Sequence, residues 1–408
     1  MKYLLILLMT QLSFAQVWQT QKDWTWQDEE DYSQWIRTDV ANKDMFVSKS
    51  SPWYGISADC ADASYALRII YSYEKGLPFA FRNPSGARGK NATISNETNK
   101  FDKHPAGTKR VVAFINYLGL SVGTESLSYN DTYPTAINSI DAGTLFTYKI
   151  KTRNGHVRHS YNIKDISEIG TFRLLYSTQA IKKDKLPMRD TWDKSLVNLP
   201  HGVWGFKRFI WPGYHMKKAS AYPQSWKRST EQLDLVNKYG KNFFNYVQKT
   251  LAKVDEDPKQ KLTRLFKGLC DEAQSRIKYV DQGLKFREQI RNRCMNYSEY
   301  DIYSTPARDK ALKGAFTKLQ DELALLEPLA GDSQYEVIKS IFSEFTSSSD
   351  QESLLEMCAI EYRQGHRIDL SELWNRISKG LLSSHPNDKV ELRWGETRSG
   401  ATRCKKWY

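Results

Sequence analysis

Cys60 is the residue best suited to covalent chemistry in this chain. The sequence holds five cysteines, and four of them lie close to the C-terminus: Cys270, Cys294, Cys358 and Cys404. Those four can form two disulfides, which leaves Cys60 as an odd thiol far upstream. A free cysteine either packs as a small hydrophobic residue or, as a thiolate, acts as a nucleophile. The residues around Cys60 favour the nucleophile.

The segment around Cys60 predicts a thiol at the start of a helix. Cys60 stands in the stretch GISADCADASYAL, and apolar residues recur at helical spacing over 61–75. Unpaired backbone N–H groups at a helix start stabilise negative charge, so a thiol there has a lowered pKa and forms more thiolate. The same N–H groups can bind a developing oxyanion. Asp59 and Asp62 are favourable first-turn residues and the acidic candidates for contacts to substrate.

Two histidines are the candidate bases. His156 and His159 lie on one predicted strand and point to opposite faces, because side chains alternate along a strand. The face of His159 also carries apolar side chains, which predicts the core side of the sheet: Val157, Tyr161 and Ile163. A helix packed on that side would bring Cys60 against His159. We therefore favour His159, with His156 as the other candidate.

A third polar residue should orient the imidazole, as in other nucleophile–base pairs. It is expected on the strand of the histidines or at the end of the next strand. The candidates are not ranked by the sequence: Asn162, Ser177, Thr178 and Gln179.

Three segments with alternating residues predict consecutive antiparallel strands: 144–151, 156–163 and 171–177. The Asn154-Gly155 pair between the first two is the strongest short hairpin signal. The Cys60 helix precedes this meander, which predicts an α+β fold. The intervening stretch 83–109 is rich in Gly, Asn and Pro and predicts a loop. A second helix is predicted after it, over 109–119, where it ends at Gly119.

A cysteine that opens a helix, followed by a small antiparallel sheet with an early histidine, resembles the papain-like superfamily of cysteine hydrolases. Asp59-Cys60 looks like the Asp-Cys start of the NlpC/P60 motif, and Gly143 to Phe146 with Gly155-His156-Val157 is similar to its GDLVFF and GHVG stretches. Cys60-Ala61-Asp62 resembles instead the Cys-x-Asp start of the bacterial transglutaminase-like motif. The resemblance covers residues 50–180.

The resemblance implies acyl transfer by an exported amidase or peptidase. The histidine would take the Cys60 proton, the thiolate would attack an amide carbonyl, and water or an amine would resolve the thioester. On the NlpC/P60 alignment the base is His156. The family also implies a peptide or peptidoglycan-like substrate and no cofactor.

Residues 227–408 predict a basic, mostly helical domain stapled by disulfides, after a papain-like domain over 16–226. Apolar spacing predicts helices in this domain around 244–254 and 262–269, and over 307–327, 335–346 and 351–363. Its four cysteines allow three pairing schemes. Local pairing is the simplest of them: Cys270 with Cys294, and Cys358 with Cys404.

The N-terminal residues MKYLLILLMTQLSFAQ predict a secretory signal peptide over 1–15. A lysine begins it, a short apolar run follows, and Ser13 and Ala15 give a small-residue cleavage site. Export to a periplasm or the cell exterior fits disulfide formation. No later apolar run is long enough to predict a transmembrane segment.

The charge favours an acidic partner. The chain has 60 Lys and Arg against 47 Asp and Glu, a formal net charge of +13. An anionic cell-envelope polymer fits this charge. No nucleic-acid motif accompanies the basic residues, so we expect no nucleic acid partner. No Cys or His spacing typical of zinc is present, so no metal is expected either.

Tryptophans supply the other candidate binding residues. Trp53, Trp204 and Trp211 stand in aromatic-rich segments, which either pack as core or form a platform for sugar or peptide. An aromatic platform belongs to the alternative function. In that alternative the chain is a non-catalytic cell-envelope binding protein that keeps the fold.

Overall fold

The structure, a computed structural model, describes residues 16–152, 155–178, 186–192 and 194–407. The predicted signal peptide, the hairpin residue Asn154 and the candidate Gln179 lie outside these residues.

The chain forms two compact units that interleave along the sequence. The first takes in residues up to Pro134, with Tyr176–Met188 and Lys207–Arg228. The second comprises Thr135–Leu175, Arg189–Phe206 and Ser229–Tyr408. The predicted domains at 16–226 and 227–408 stay a prediction.

Helices dominate the described part of the first unit: α1 (Trp26–Arg37), α2 (Cys60–Glu74), α3 (Thr108–Ser121) and α4 (Thr124–Tyr129). The helices predicted over 61–75 and 109–119 are confirmed as α2 and α3. Every residue of α2 from 61 to 72 is buried. A helix buried on all sides occupies the centre of a core. The first residue of that central helix is Cys60.

A buried charge cluster holds α1 to α2. The Arg68 guanidinium donates hydrogen bonds to both carboxylate oxygens of Glu29, and its carbon lies 3.5 Å from the ring centre of Trp24. The indole of Trp211 donates to the same carboxylate at 2.5 Å. Glu29 and Arg68 are 2% exposed, and Arg208 lies 3.9 Å from Glu29. Burying a charged group costs free energy. The hydrogen bonds and ion pairs between the Glu29 carboxylate and its donors offset that cost.

The predicted loop over 83–109 is wrong in part. It carries β2 (Thr93–Ser95), which pairs antiparallel with β1 (Ala80–Arg82). The Gly- and Asn-rich residues between them form the turn. The alternation in so short a strand was too weak to distinguish it from a loop.

The predicted meander is confirmed as β4 (Leu145–Thr152), β5 (Gly155–Ile166) and β6 (Phe172–Tyr176). Both pairs are antiparallel, with Tyr148 opposite His159 and Asn162 opposite Leu175. A register shift between Ile163 and Asp165 marks a bulge in β5. The chain is therefore a mixed α and β protein with antiparallel sheets.

Three further strands extend this sheet: β3 (Thr132–Pro134), β7 (Arg189–Thr191) and β8 (Gly205–Phe209). The strand order is β3, β8, β4, β5, β6, β7. Strand β8 begins in the second unit and ends in the first, where Phe209 pairs with Thr132.

The remainder of the second unit is largely helical. Its helices in chain order are α5 (Glu231–Tyr239), α6 (Phe243–Leu251), α7 (Pro258–Gln289), α8 (Tyr297–Tyr303), α9 (Pro306–Leu325), α10 (Ser333–Ser340), α11 (Ser348–Met357), α12 (Leu370–Ser378) and α13 (Val390–Arg393). The helix predicted over 351–363 ends at Met357. A hairpin of β9 (Ile360–Arg363) and β10 (His366–Ile368) follows it.

Two disulfides cross-link the second unit, and the local pairing predicted from sequence is wrong. Cys270 is bonded to Cys358, and Cys294 to Cys404. Cys270 lies within α7, which carries the chain ~28 Å onward before the helix ends. The few residues from there to Cys294 span at most ~17 Å, so they cannot return to Cys270.

None of the helices in the described ranges combines the length and the apolar composition that crossing a bilayer requires.

Candidate functional site

The start of α2 is held by a reciprocal cap. Asp59 is the N-cap residue, and its carboxylate accepts from the backbone N–H groups of Ala61 and Asp62 at 2.9 and 3.0 Å. The Asp62 carboxylate accepts in return from the Asp59 N–H at 3.2 Å. This capping box fixes the first turn of α2, so the position of Cys60 is defined by its neighbours on both sides.

Cys60 is the first residue of α2 and a half-buried free thiol. All five cysteines are described, and the other four are in disulfides. The Cys60 sulfur lies 3.6 Å from the hydroxyl oxygen of Thr124, the first residue of α4. The thiol is therefore partly open, stands at a helix start and lies next to a hydroxyl.

The loop before Cys60 is tied down by two side chains. Ser177, a predicted third residue, is buried and donates its hydroxyl proton to the carbonyl of Ala58 at 2.6 Å. The side-chain oxygen of Asn116 on α3 accepts from the Ser57 N–H at 3.3 Å. Both contacts act on the backbone just upstream of Cys60. Ser177 therefore contacts the main chain of the segment that leads into Cys60.

Asp62 faces inward, which explains a glycine on α3. Asp62 is 1% exposed, and a methyl group placed on Gly119 would come within 2.8 Å of its carboxylate. Only a residue without a side chain leaves room there. The contacts observed for Asp59 and Asp62 are those of a helix cap, and their role toward substrate stays a prediction.

His159 lies on β5 in the second unit, within an aromatic cluster. Its ring centre is 4.6 Å from that of Tyr161 and 5.8 Å from that of Tyr148. Burial lowers the pKa of His159 to about 3, and the cations Lys194 and Arg308 act in the same direction. The ring is therefore neutral at pH 7, and its basicity is reduced.

The face of His159 is a core face, as predicted. Tyr161 and Ile163 are buried, and Phe146 on the same face contacts Phe244 of α6. The helix that packs on this face within the second unit is therefore α6. The opposite face is also covered at its inner end, because Ser160 and Asn162 are both fully buried.

His156 and Asn162 occupy opposite ends of that second face. His156 is exposed near the hairpin end of β5. Asn162 donates from its side-chain nitrogen to the Leu175 carbonyl at 2.9 Å, whereas its side-chain oxygen has no partner in the described ranges. The side chain of Asn162 therefore joins β5 to β6 and retains one acceptor.

The three tryptophans pack as core residues. Trp53 and Trp204 are 4% and 3% exposed, and Trp211 is 8% exposed with its indole N–H on Glu29. Their function as a substrate platform stays a prediction.

The first unit gathers the cysteine and its polar surroundings: Cys60, Asp59, Asp62, Thr124, Ser177 and Asn116. The second unit holds His156, His159 and Asn162. The sequence did not single out Thr124 and Asn116. Thr124 opens a helix directly after Gly123, which is a helix-start signal, whereas Asn116 stands mid-helix without any local signal.

Comparison with known proteins adds no relative: no protein family, no curated protein and no solved structure matches the chain. The described residues contain no group of three or more His, Cys, Asp or Glu placed to hold a metal ion.

Proposed function

We propose that this chain is an exported cysteine hydrolase, an amidase or peptidase that forms a thioester on Cys60. Cys60 is the nucleophile, and His159 is the base, with His156 as the other candidate. Asn162 or Ser177 supplies the third, orienting contact.

The observation that carries the proposal is the placement of Cys60. It is the one cysteine outside the disulfides, it begins the central helix of its unit, and its sulfur is partly exposed. A cysteine kept reduced among disulfide-bonded neighbours in the same chain needs a reason, and a capped helix start supplies a chemical one.

The reaction follows from ordinary acid–base chemistry. The thiol proton passes to the neutral imidazole, and the sulfur attacks the amide carbon to give a tetrahedral oxyanion. The N–H groups of Ala61 and Asp62 are held by the Asp59 carboxylate, so the first-turn donor proposed for that oxyanion is the N–H of Cys60. The C–N bond then breaks, the imidazolium protonates the leaving amine, and water hydrolyses the thioester to restore the thiol.

The substrate class rests on charge and on the predicted export. A net charge of +13 favours an anionic polymer, and peptides attached to such a polymer offer amide bonds to a nucleophile outside the cell. We therefore propose peptidoglycan stem peptides as the substrate class.

The test is amide cleavage by the purified chain on stem-peptide fragments, followed by mass spectrometry of the released amines. Cys60→Ala should lose at least ~10³-fold in rate with an unchanged circular dichroism spectrum. One of His159→Gln and His156→Gln should lose ~10²-fold or more, and the other should stay near the parent. Retention of fragments without cleavage, equal for the parent and Cys60→Ala, would support the envelope-binding alternative instead.

A further inference from the structure

The hydroxyl group of Thr124 has the sulfur of Cys60 as its hydrogen-bond partner. Thr124 is 8% exposed, and the hydroxyl oxygen and the sulfur lie 3.6 Å apart. In the described part of the chain the Thr124 hydroxyl makes no other hydrogen bond. A buried hydroxyl group without a partner costs free energy, so the O–H of Thr124 is best satisfied by donating to the sulfur.

The helix that carries Thr124 is fixed at its other end. Helix α4 has six residues, and Thr124 is the first of them. The side-chain nitrogen of Lys207 donates to the Ser128 carbonyl, and the Thr132 hydroxyl donates to the Leu127 carbonyl at 2.6 Å. Both donating side chains are buried. They hold the last turn of this short helix, and its first residue is thereby kept against the sulfur.

The charged residues next to this pair disfavour a thiolate. Asp59 and Asp62 flank Cys60 on α2, and Glu125 follows Thr124 on α4. All three are acidic, and like charge raises the pKa of a thiol. On α3 the residues that contact the start of α2 and the loop before it are an asparagine and a glycine, which carry no charge. The Thr124 hydroxyl acts in the opposite direction, because a hydrogen-bond donor favours the charged form of its acceptor.

We propose that Thr124 is a catalytic residue of the Cys60 site, whose hydroxyl donates a hydrogen bond to the thiolate and stabilises the reactive form of the nucleophile. This role rests on the proposed function, in which that thiolate attacks the amide. A neutral thiol is a weak acceptor, whereas hydrogen bonds to a charged acceptor are about twice as strong. The contact with Thr124 therefore favours ionisation of Cys60.

The experiment follows the alkylation rate of Cys60 by iodoacetamide as a function of pH, on the intact chain with its disulfides formed. Cys60→Ala gives the background labelling. Thr124→Val keeps the shape of the side chain and removes the hydroxyl group. Its midpoint pH should rise by about one unit, and its rate at pH 7 should fall about threefold after the gain in nucleophilicity. An unchanged midpoint overturns the proposal.

Two control variants separate the hydrogen bond from the packing of α4. Thr124→Ser keeps the hydroxyl group and should titrate within about 0.3 pH units of the parent. Ser126→Ala removes a half-buried hydroxyl group from the same helix and should leave the midpoint unchanged. A shift in either control as large as that in Thr124→Val would show that packing, and not the O–H donor, sets the acidity of the thiol, and would contradict the proposal.

The titration needs no substrate, so its failure is distinct from a failure of the proposed function. Cleavage of stem peptides by the parent, together with an unchanged midpoint in Thr124→Val, overturns the role of Thr124 alone. A raised midpoint in Thr124→Val without cleavage by the parent supports the hydrogen bond to the thiolate and contradicts the hydrolase.

Discussion

The two units treat their cysteines in opposite ways. In the first unit the single cysteine is a free, half-buried thiol at a capped helix start, and buried charge pairs around Glu29 join the helices. In the second unit four cysteines form two long-range disulfides, and the buried pair Cys270–Cys358 lies within the apolar core. Cysteines therefore cross-link the second unit, whereas the proposed function gives the thiol of the first unit a chemical role.

The largest stability effect should come from the disulfides of the second unit. They close loops with sequence separations of 88 and 110 residues, for which chain entropy gives about 4.7 kcal/mol each. Replacing Cys270 and Cys358 by Ser should cost more, about 6 kcal/mol, because it also buries hydroxyl groups in the core. Urea unfolding of the two double variants measures the difference.

The disulfide between Cys294 and Cys404 is the matched control, because Cys294 is exposed and Cys404 is half-buried. If the Cys294→Ser, Cys404→Ser variant lost more stability than the buried pair, loop length would outweigh core burial. Neither double variant should change the reactivity of Cys60.

In the first unit the corresponding loss of stability should come from Glu29→Gln. It leaves the buried Arg68 guanidinium without its carboxylate, which costs about 3 kcal/mol. Glu30→Gln, next to it and exposed, should change the free energy of unfolding by less than about 0.5 kcal/mol. Similar small losses for both would show that charge pairing does not hold the first unit together.

Acid should destabilise the fold through His159. The folded chain favours the neutral ring, with a pKa lowered by burial to about 3, whereas the unfolded chain takes up a proton below pH 6.5. Stability from this group is therefore complete above pH 6.5 and falls as the pH is lowered toward 3. Relative to His159→Gln, the parent should lose about 3 kcal/mol between pH 7 and pH 4. His156→Gln is the control, because His156 is exposed, and this variant should show the same pH dependence as the parent.

The smallest effect should follow from the cap of α2. Asp59→Ala removes an N-cap carboxylate and should cost about 1 kcal/mol, whereas Asp59→Asn keeps the cap and should cost a few tenths. Thermal unfolding of both variants separates capping from charge. A cost as large for Asn as for Ala would show that the charge, and not the hydrogen bonds, holds the first turn.

Local signals in the sequence located the start of α2 and the three-stranded meander well. The start of α2 was predicted within one residue because Asp59 and Asp62 form a cap on either side of Cys60 and the apolar spacing is strictly helical. The meander was predicted because Asn154-Gly155 separates two alternating runs. These signals depend on neighbours within a few residues, which is the range over which sequence alone is informative.

Long-range features were not predicted, because they depend on residues that are far apart in the sequence. The disulfide partners depend on the length of α7, which the sequence pattern marked only around residues 262–269. The helix predicted over 351–363 wrongly included strand β9 of the β9–β10 hairpin, although Gln364-Gly365 is a two-residue turn with Gly365 at φ 73°. Thr124 and Asn116 reach the Cys60 segment only through the tertiary packing of α3 and α4.

The alkylation rate of Cys60 tests the central claim most directly. With the disulfides intact, Cys60 is the one thiol that iodoacetamide can label, both in the folded chain and in urea. Each unit by which a helix start lowers a thiol pKa raises the rate at pH 7 by about threefold, after the loss in nucleophilicity. We expect folded Cys60 to react at least about threefold faster than unfolded Cys60. A folded thiol that reacts more slowly than the unfolded one would contradict the account.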